Sequence, residues 1–150
     1  MATEPRAIWG DLAASAFVLA SPLFKSLDEE AGADLLRVAE LVAYAPGEVV
    51  VRQGEPGEEL FLVRDGWAAV TVEAGGTALE VARLDRGAVF GELALAGAPV
   101  RTGTVTARTE LSVVRFPGPV VSAIAERFPK VGRLLEALQG AGRHDQGQGA

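Results

Sequence analysis

The residues best suited to chemistry lie together in Phe90–Thr102, which reads FGELALAGAPVRT. Glu92 to Ala96 are helix-forming residues, and a short helix opening at Gly91 points backbone N–H groups outward, an arrangement that suits an anion. Gly91 has no side chain to keep a ligand off the backbone. Arg101 follows where the chain returns to an extended pattern, and its guanidinium can add a charge-assisted, bidentate contact to the same anion. Glu92 cannot serve that anion. A carboxylate accepts hydrogen bonds, so it suits a sugar hydroxyl. Phosphate at one edge and hydroxyl at the other describe a nucleotide.

Composition removes most rival chemistries. The chain has no cysteine and a single histidine, His144. Thiolate metal sites, cysteine nucleophiles and multi-histidine metal sites are therefore excluded, and a nucleophile–base pair is hard to assemble. The expectation is a protein that is not an enzyme and needs no cofactor or metal. A net charge of −6 offers no electrostatic footprint for nucleic acid or an anionic membrane. The longest apolar-looking stretch, Leu12–Phe24, is too short to span a bilayer and is interrupted by Pro22. Glu4 and Asp11 against one Arg6 are the wrong charges for a signal peptide. The reading is a cytoplasmic protein of 150 residues, one domain in length.

The elements that must position this segment follow from periodicity. Ala7–Ala20 reads as a short helix ended by Ser21-Pro22. Ser26 opens a second as a capping box, with Glu29 reaching back to it. Leu27, Ala31, Leu35, Val38 and Val42 form its apolar face. After Pro46-Gly47 the period changes to that of strands: Val49–Val51, Leu60–Val63, Ala68 to Glu73, a Gly75-Gly76 hairpin turn, the Leu79 and Val81 return strand, Thr102–Ala107 and Leu111–Phe116. Many short strands with glycine turns imply a barrel or double-sheet roll. Pro117-Gly118-Pro119 then leads into a helix through Val120, Ile124 and Phe128. A last helix runs from Pro129 along Val131, Leu134, Leu135 and Leu138 and stops at Gly140.

Taken with its flanks, FGELAL followed by Arg101 and Thr102 resembles the phosphate-binding cassette of the cyclic nucleotide-binding domain family. The glycine turns at Pro46-Gly47-Glu48, Gln53-Gly54-Glu55 with Gly57, and Asp65-Gly66 resemble that family's too, and the likeness runs from about Pro22 to Leu138. It implies a mainly β fold: an eight-stranded β-roll or jelly-roll barrel with N-terminal helices and C-terminal hinge and lid helices. The boundaries would be 1–42 for the N-terminal helices, 43–116 for the roll with its cassette at 90–102, 117–139 for the C-terminal helices, and 140–150 for a flexible tail. It also implies roles. Gly91, Leu93 and Ala94 would offer backbone N–H groups, Glu92 would bind the ribose 2′-hydroxyl, and Arg101 would pair with the cyclic phosphate. Thr102 would lie beside phosphate and purine edge, and Ala82 and Leu84 would pack on the base. Arg133, Leu134 and Leu138 on the helix from Pro129 to Gln139 would close over it. Ala96, Pro99 with Val100, and Gly103 depart from the commoner pattern without touching the Glu92 or Arg101 roles.

The expected ligand is cyclic AMP or cyclic GMP, and the expected function is a sensor that turns occupancy into helix movement. Its output would go through an unidentified protein effector or through self-association as a homodimer. The alternative is a degenerate roll that docks a protein without binding nucleotide. Beside these stand plainer readings. Trp9 and Trp67 read as packing residues, Gly47, Gly54, Gly57 and Gly66 as structural turns, and Leu134, Leu135 and Leu138 as a helix core face on even terms with a lid.

Overall fold

Glycine and proline turns cut residues 40–116 into short extended segments, which pair into two antiparallel sheets. The computed structural model describes residues 2–91 and 100–144. One sheet has the order β1 (Arg6–Ala7), β2 (Glu40–Tyr44), β9 (Leu111–Phe116), β4 (Leu60–Asp65), β7 (Val89–Phe90). The other has the order β3 (Val49–Val51), β8 (Thr104–Ala107), β5 (Ala68–Ala74), β6 (Thr77–Leu84). Four helices accompany them: α1 (Leu12–Ala20), α2 (Glu29–Val38), α3 (Gly118–Arg127) and α4 (Pro129–His144). This is the mainly β roll with flanking helices that the sequence predicts. Nine strands are present among the described residues instead of eight, because the two-residue β1 adds to the edge of β2. The two sheets share no ladder among these residues, so the roll is not a closed barrel.

The run Leu60-Phe61-Leu62-Val63 does not alternate in hydrophobicity because both faces of β4 are covered. Leu60 and Leu62 turn to a core shared with the helices, while Phe61 and Val63 turn to a second core between the sheets. Strand β9 repeats this, with Val114 and Phe116 on the helix side and Leu111 and Val113 between the sheets. All four helices contribute to the first core, through Val18, Leu35, Val121, Ile124, Val131 and Leu135 among others. Phe24 packs on Phe116 with ring centroids 5.3 Å apart. Burying one Leu or Phe side chain is worth roughly 1.5–3 kcal/mol, against about 1 kcal/mol for a helix cap. Packing on β4 and β9, more than the caps, therefore holds the helical layer.

Several boundaries differ from the sequence reading, each for a local reason. The segment before α1 is extended and pairs Arg6 with Leu41, so the helix begins only after Asp11, whose carboxylate accepts from the Ala14 amide at 3.0 Å. That bond, with Arg6 adding to it, holds the Asp11 carboxyl below its ordinary pKa. Its contribution to the cap is present at neutral pH and is lost as pH falls through that lowered value. In α2 the N-cap is Asp28 and not Ser26: Asp28 accepts from the Ala31 amide at 2.8 Å, and Ser26 stands two residues outside in a turn. Val42 leaves the helix face altogether. Ala39 turns extended, and Val42 pairs with Val113 in β2. Trp9 is not a packing residue but 53% exposed, with the Arg37 guanidinium 4.8 Å above its ring. Helix α4 passes through Gly140 to His144, since an interior glycine costs only about 1 kcal/mol; residues 145–150 lie outside the described residues.

The cap assignment is directly testable. Asp28→Ala should lower unfolding free energy by about 1 kcal/mol, and Ser26→Ala, at an exposed turn position, should stay within about 0.5 kcal/mol of the parent. Urea denaturation of the two variants reads this out, and the reverse ranking restores Ser26 as the cap.

Candidate functional site

Strand β7 is only two residues long, and its end sets up the site. Phe61 pairs with Phe90 across β4 and β7, and their rings stack at 4.8 Å and 10°. The next residue, Gly91, has φ +91°, a conformation in which side chains are strained. A Cβ there would meet the Glu59 carbonyl oxygen at 2.5 Å. Gly91 therefore turns the chain where β7 ends and lies against the backbone just before β4.

Arg101 returns to the same place. Its main chain is fixed by the 53–57 loop: the Arg101 amide donates to the Glu55 carbonyl at 2.8 Å, and the Gly54 amide donates to the Arg101 carbonyl at 2.8 Å. Its side chain runs inward and is 7% exposed. Nη2 donates to the Glu59 carbonyl at 3.2 Å and Nη1 to the Gly91 carbonyl at 3.4 Å, with Cζ 5.8 Å from the Phe61 ring centroid. A buried cation is costly unless hydrogen-bonded, and these carbonyls supply bonds to its fork. The result is a rigidly held positive group in a chain whose net charge is −6. Such a group can meet a phosphate with two parallel N–H bonds.

The loop opposite is tied down in its turn. The Gln53 amide donates to Thr104 Oγ1 at 3.0 Å. The Gln53 side-chain amide grips Glu73 from both sides, donating to its carbonyl at 3.2 Å and accepting from its N–H at 2.8 Å. The hairpin that Glu73 belongs to turns at Gly75 and Gly76, with φ +61° and +82°, the positive values that a two-residue turn requires.

The sequence-derived site residues separate into groups. Gly91 and Arg101 are brought together, and Thr102 adjoins them with its side chain exposed. Glu92, Leu93 and Ala94 lie outside the described residues, as does the side chain of Leu138. Ala82 and Leu84 pack half-buried on the core between the sheets, which also contains Phe61 and Phe90. Arg133 is exposed, and Leu134 packs on the helix-side core, across the first sheet from Ala82 and Leu84. Two features were missed by sequence reasoning. The carbonyl of Glu59 carries no side-chain signal. Val81 joins Ala82 on the core because a register shift between Val70 and Thr71 inserts an extra residue, while Leu79, nearer the hairpin tip, is 57% exposed.

Residues 41–128 match the model of the cyclic nucleotide-binding domain. The chain belongs to that family. It is 35% identical over 103 residues to a cAMP-dependent protein kinase regulatory subunit of Schizosaccharomyces pombe, covering 69% of this chain and 24% of that protein. The chain thus spans about a quarter of the length of this curated relative. Its fold is shared with the sensor domain of the transcriptional regulator DNR from Pseudomonas aeruginosa, at TM-score 0.78 and 20% identity, covering 90% of this chain and 92% of that one. It is shared also with the regulatory domain of Toxoplasma gondii PKA crystallised with cAMP, at TM-score 0.73 and 24% identity, covering 85% of this chain and 48% of that one. In this cyclic nucleotide-binding domain no described helix is long and apolar enough to cross a membrane. Among the described residues no cluster of side chains is suited to a metal ion.

The geometry at Gly91 makes a stability prediction. Gly91→Ala should destabilise the domain by about 1–3 kcal/mol, the cost of a side chain in a left-handed conformation, with crowding of the Glu59 carbonyl added. Chemical denaturation measures it, and a neutral substitution would show that Gly91 does not hold this conformation.

Proposed function

We propose that this domain binds a 3′,5′-cyclic purine mononucleotide, cyclic AMP or cyclic GMP, and reports its occupancy to a protein effector. One observation supports the reading above others: Arg101, buried and held by carbonyls of Glu59 and Gly91, lies within the 41–128 match and follows FGELAL in the segment that resembles the family's phosphate-binding cassette. In this reading the cyclic phosphate pairs with Arg101, Glu92 takes the ribose 2′-hydroxyl, and backbone N–H groups of Gly91, Leu93 and Ala94 complete the anion site. The purine lies on Ala82 and Leu84, beside Thr102. The domain is non-catalytic and cytoplasmic, and the regulatory-subunit name of its relative supports a protein kinase as the type of effector.

Calorimetric titration with cyclic AMP and cyclic GMP tests the reading, and both should bind. Arg101→Ala should weaken binding by roughly 30-fold to several thousand-fold, the consequence of losing ~2–5 kcal/mol from a buried charge pair, with the far-UV circular dichroism spectrum retained. Glu92→Gln should cost less, because its amide oxygen still accepts from a hydroxyl. A parent protein that binds neither nucleotide defeats the proposal in favour of the docking module.

The output is assigned to the C-terminal helices. Val131 and Leu135 of α4 are buried in the core that β4 also serves, and Phe61 of the site lies on the opposite face of that strand. Amide exchange across Val131–Leu135 should therefore change when the protein is saturated with cyclic AMP. Identical exchange with and without the nucleotide makes α4 a fixed part of the core and moves the output elsewhere.

A further inference from the structure

Gly57 does not fit the role of a turn glycine. The glycines that occupy left-handed conformations include Gly47, Gly54 and Gly66, but Gly57 is not among them. Conformational freedom is therefore no reason for a glycine here. Space is. A Cβ built on Gly57 would lie 2.6 Å from Nε and 2.6 Å from Nη2 of Arg101, and 2.8 Å from its Cζ. These separations are far inside van der Waals contact, and all three are to atoms of the guanidinium. Gly47 and Gly54 meet nothing within 4 Å in the same construction.

The atoms met are the far end of the Arg101 side chain, so relief comes from moving the guanidinium away from its bonds to Glu59 and Gly91. Arg101 is held at its main chain by Gly54 and Glu55, which belong to the same loop as Gly57, and at its side chain by the carbonyls of Glu59 and Gly91. The loop is stiffened by Pro56, whose ring fixes φ immediately before Gly57, and by the grip of Gln53 on Glu73. We infer that Gly57 is a positioning residue for Arg101: the absence of its side chain is the slot that the guanidinium occupies, and this holds the group where the nucleotide reading places the phosphate. The functional half of this inference rests on the nucleotide reading above.

A double-mutant cycle tests it on the full chain, with cyclic AMP and adenosine as probes. Gly57→Ala should weaken cyclic AMP binding by at least tenfold. It should leave the affinity for adenosine, which has no phosphate, within about twofold of the parent. In the Arg101→Ala background, Gly57→Ala should cost less than about twofold more, because the group it displaces has gone. Unaltered cyclic AMP affinity in Gly57→Ala overturns the inference, as does a further tenfold loss in the double variant. Thermal unfolding without ligand separates this from failure of the nucleotide reading. Gly57→Ala should lower Tm in the parent and leave it unchanged or raised in Arg101→Ala, where the alanine methyl enters vacated space. An equal drop in both backgrounds overturns the slot, whatever the protein binds. Should Gly57→Ala alone fail to fold, recovery of folding in the double variant supports the slot, and failure of both overturns it.

Discussion

Strands β4 and β9 have no solvent face, and the rest of the molecule is arranged around that constraint. One face of the pair meets four helices, the other meets the second sheet, and successive side chains along each strand belong to different cores. Such a strand cannot slip by a single residue, since that would exchange the two sets of side chains across the sheet. Its rigidity matters because Phe61, over which the Arg101 guanidinium lies, and Leu60 and Leu62, on which the helices rest, are neighbours on one chain. A shift in the helical layer and a shift in the site therefore act on the same three residues.

The placement of positive charge is the second organising fact. Among the described residues Arg101 is the one charged side chain that is buried, whereas several other arginines lie in exposed or half-buried ion pairs, such as Arg115 with Glu40 at 2.7 Å and Arg108 with Glu80 at 2.9 Å. Pairs of that kind contribute little to stability, of the order of 0–1 kcal/mol. Arg101 differs in its burial and in donating to the backbone carbonyls of Glu59 and Gly91. Bonds from a buried guanidinium to carbonyls are strong, because screening by water is weak around them.

How much of this was legible in the sequence depends on the range of the interaction involved. The roll, most of its strands and the pairing of Gly91 with Arg101 follow from short-range patterns: glycine turns, alternation and a thirteen-residue segment. Three things did not follow. The cap of α2 was ambiguous because Ser26 and Asp28 both have capping side chains, and only the packing of the helix decides between them. Val42 continued a helical spacing, and its transfer to β2 depends on pairing with Val113, far away in the chain. The slot at Gly57 and the Glu59 carbonyl were invisible for a stronger reason. A carbonyl is common to every residue, and an absent side chain announces nothing about what fills its place. Glu92, Leu93 and Ala94, at the centre of the sequence argument, lie outside the described residues, so their roles stand on the motif.

The grip of Gln53 on Glu73 has a mechanical consequence. Its two hydrogen bonds run in parallel between one side-chain amide and one backbone unit, so they resist rotation as well as separation. Through them the β5–β6 hairpin is geared to the loop that carries Gly54, Glu55 and Gly57. The tip at Gly75-Gly76 is exposed, with open space where side chains would project, yet it is only a few residues from that gear. A fluorophore or an inserted reporter domain at the tip would sit on an exposed turn and yet be mechanically tied to that loop, which makes this hairpin the natural place to test for an optical signal of the proposed nucleotide binding.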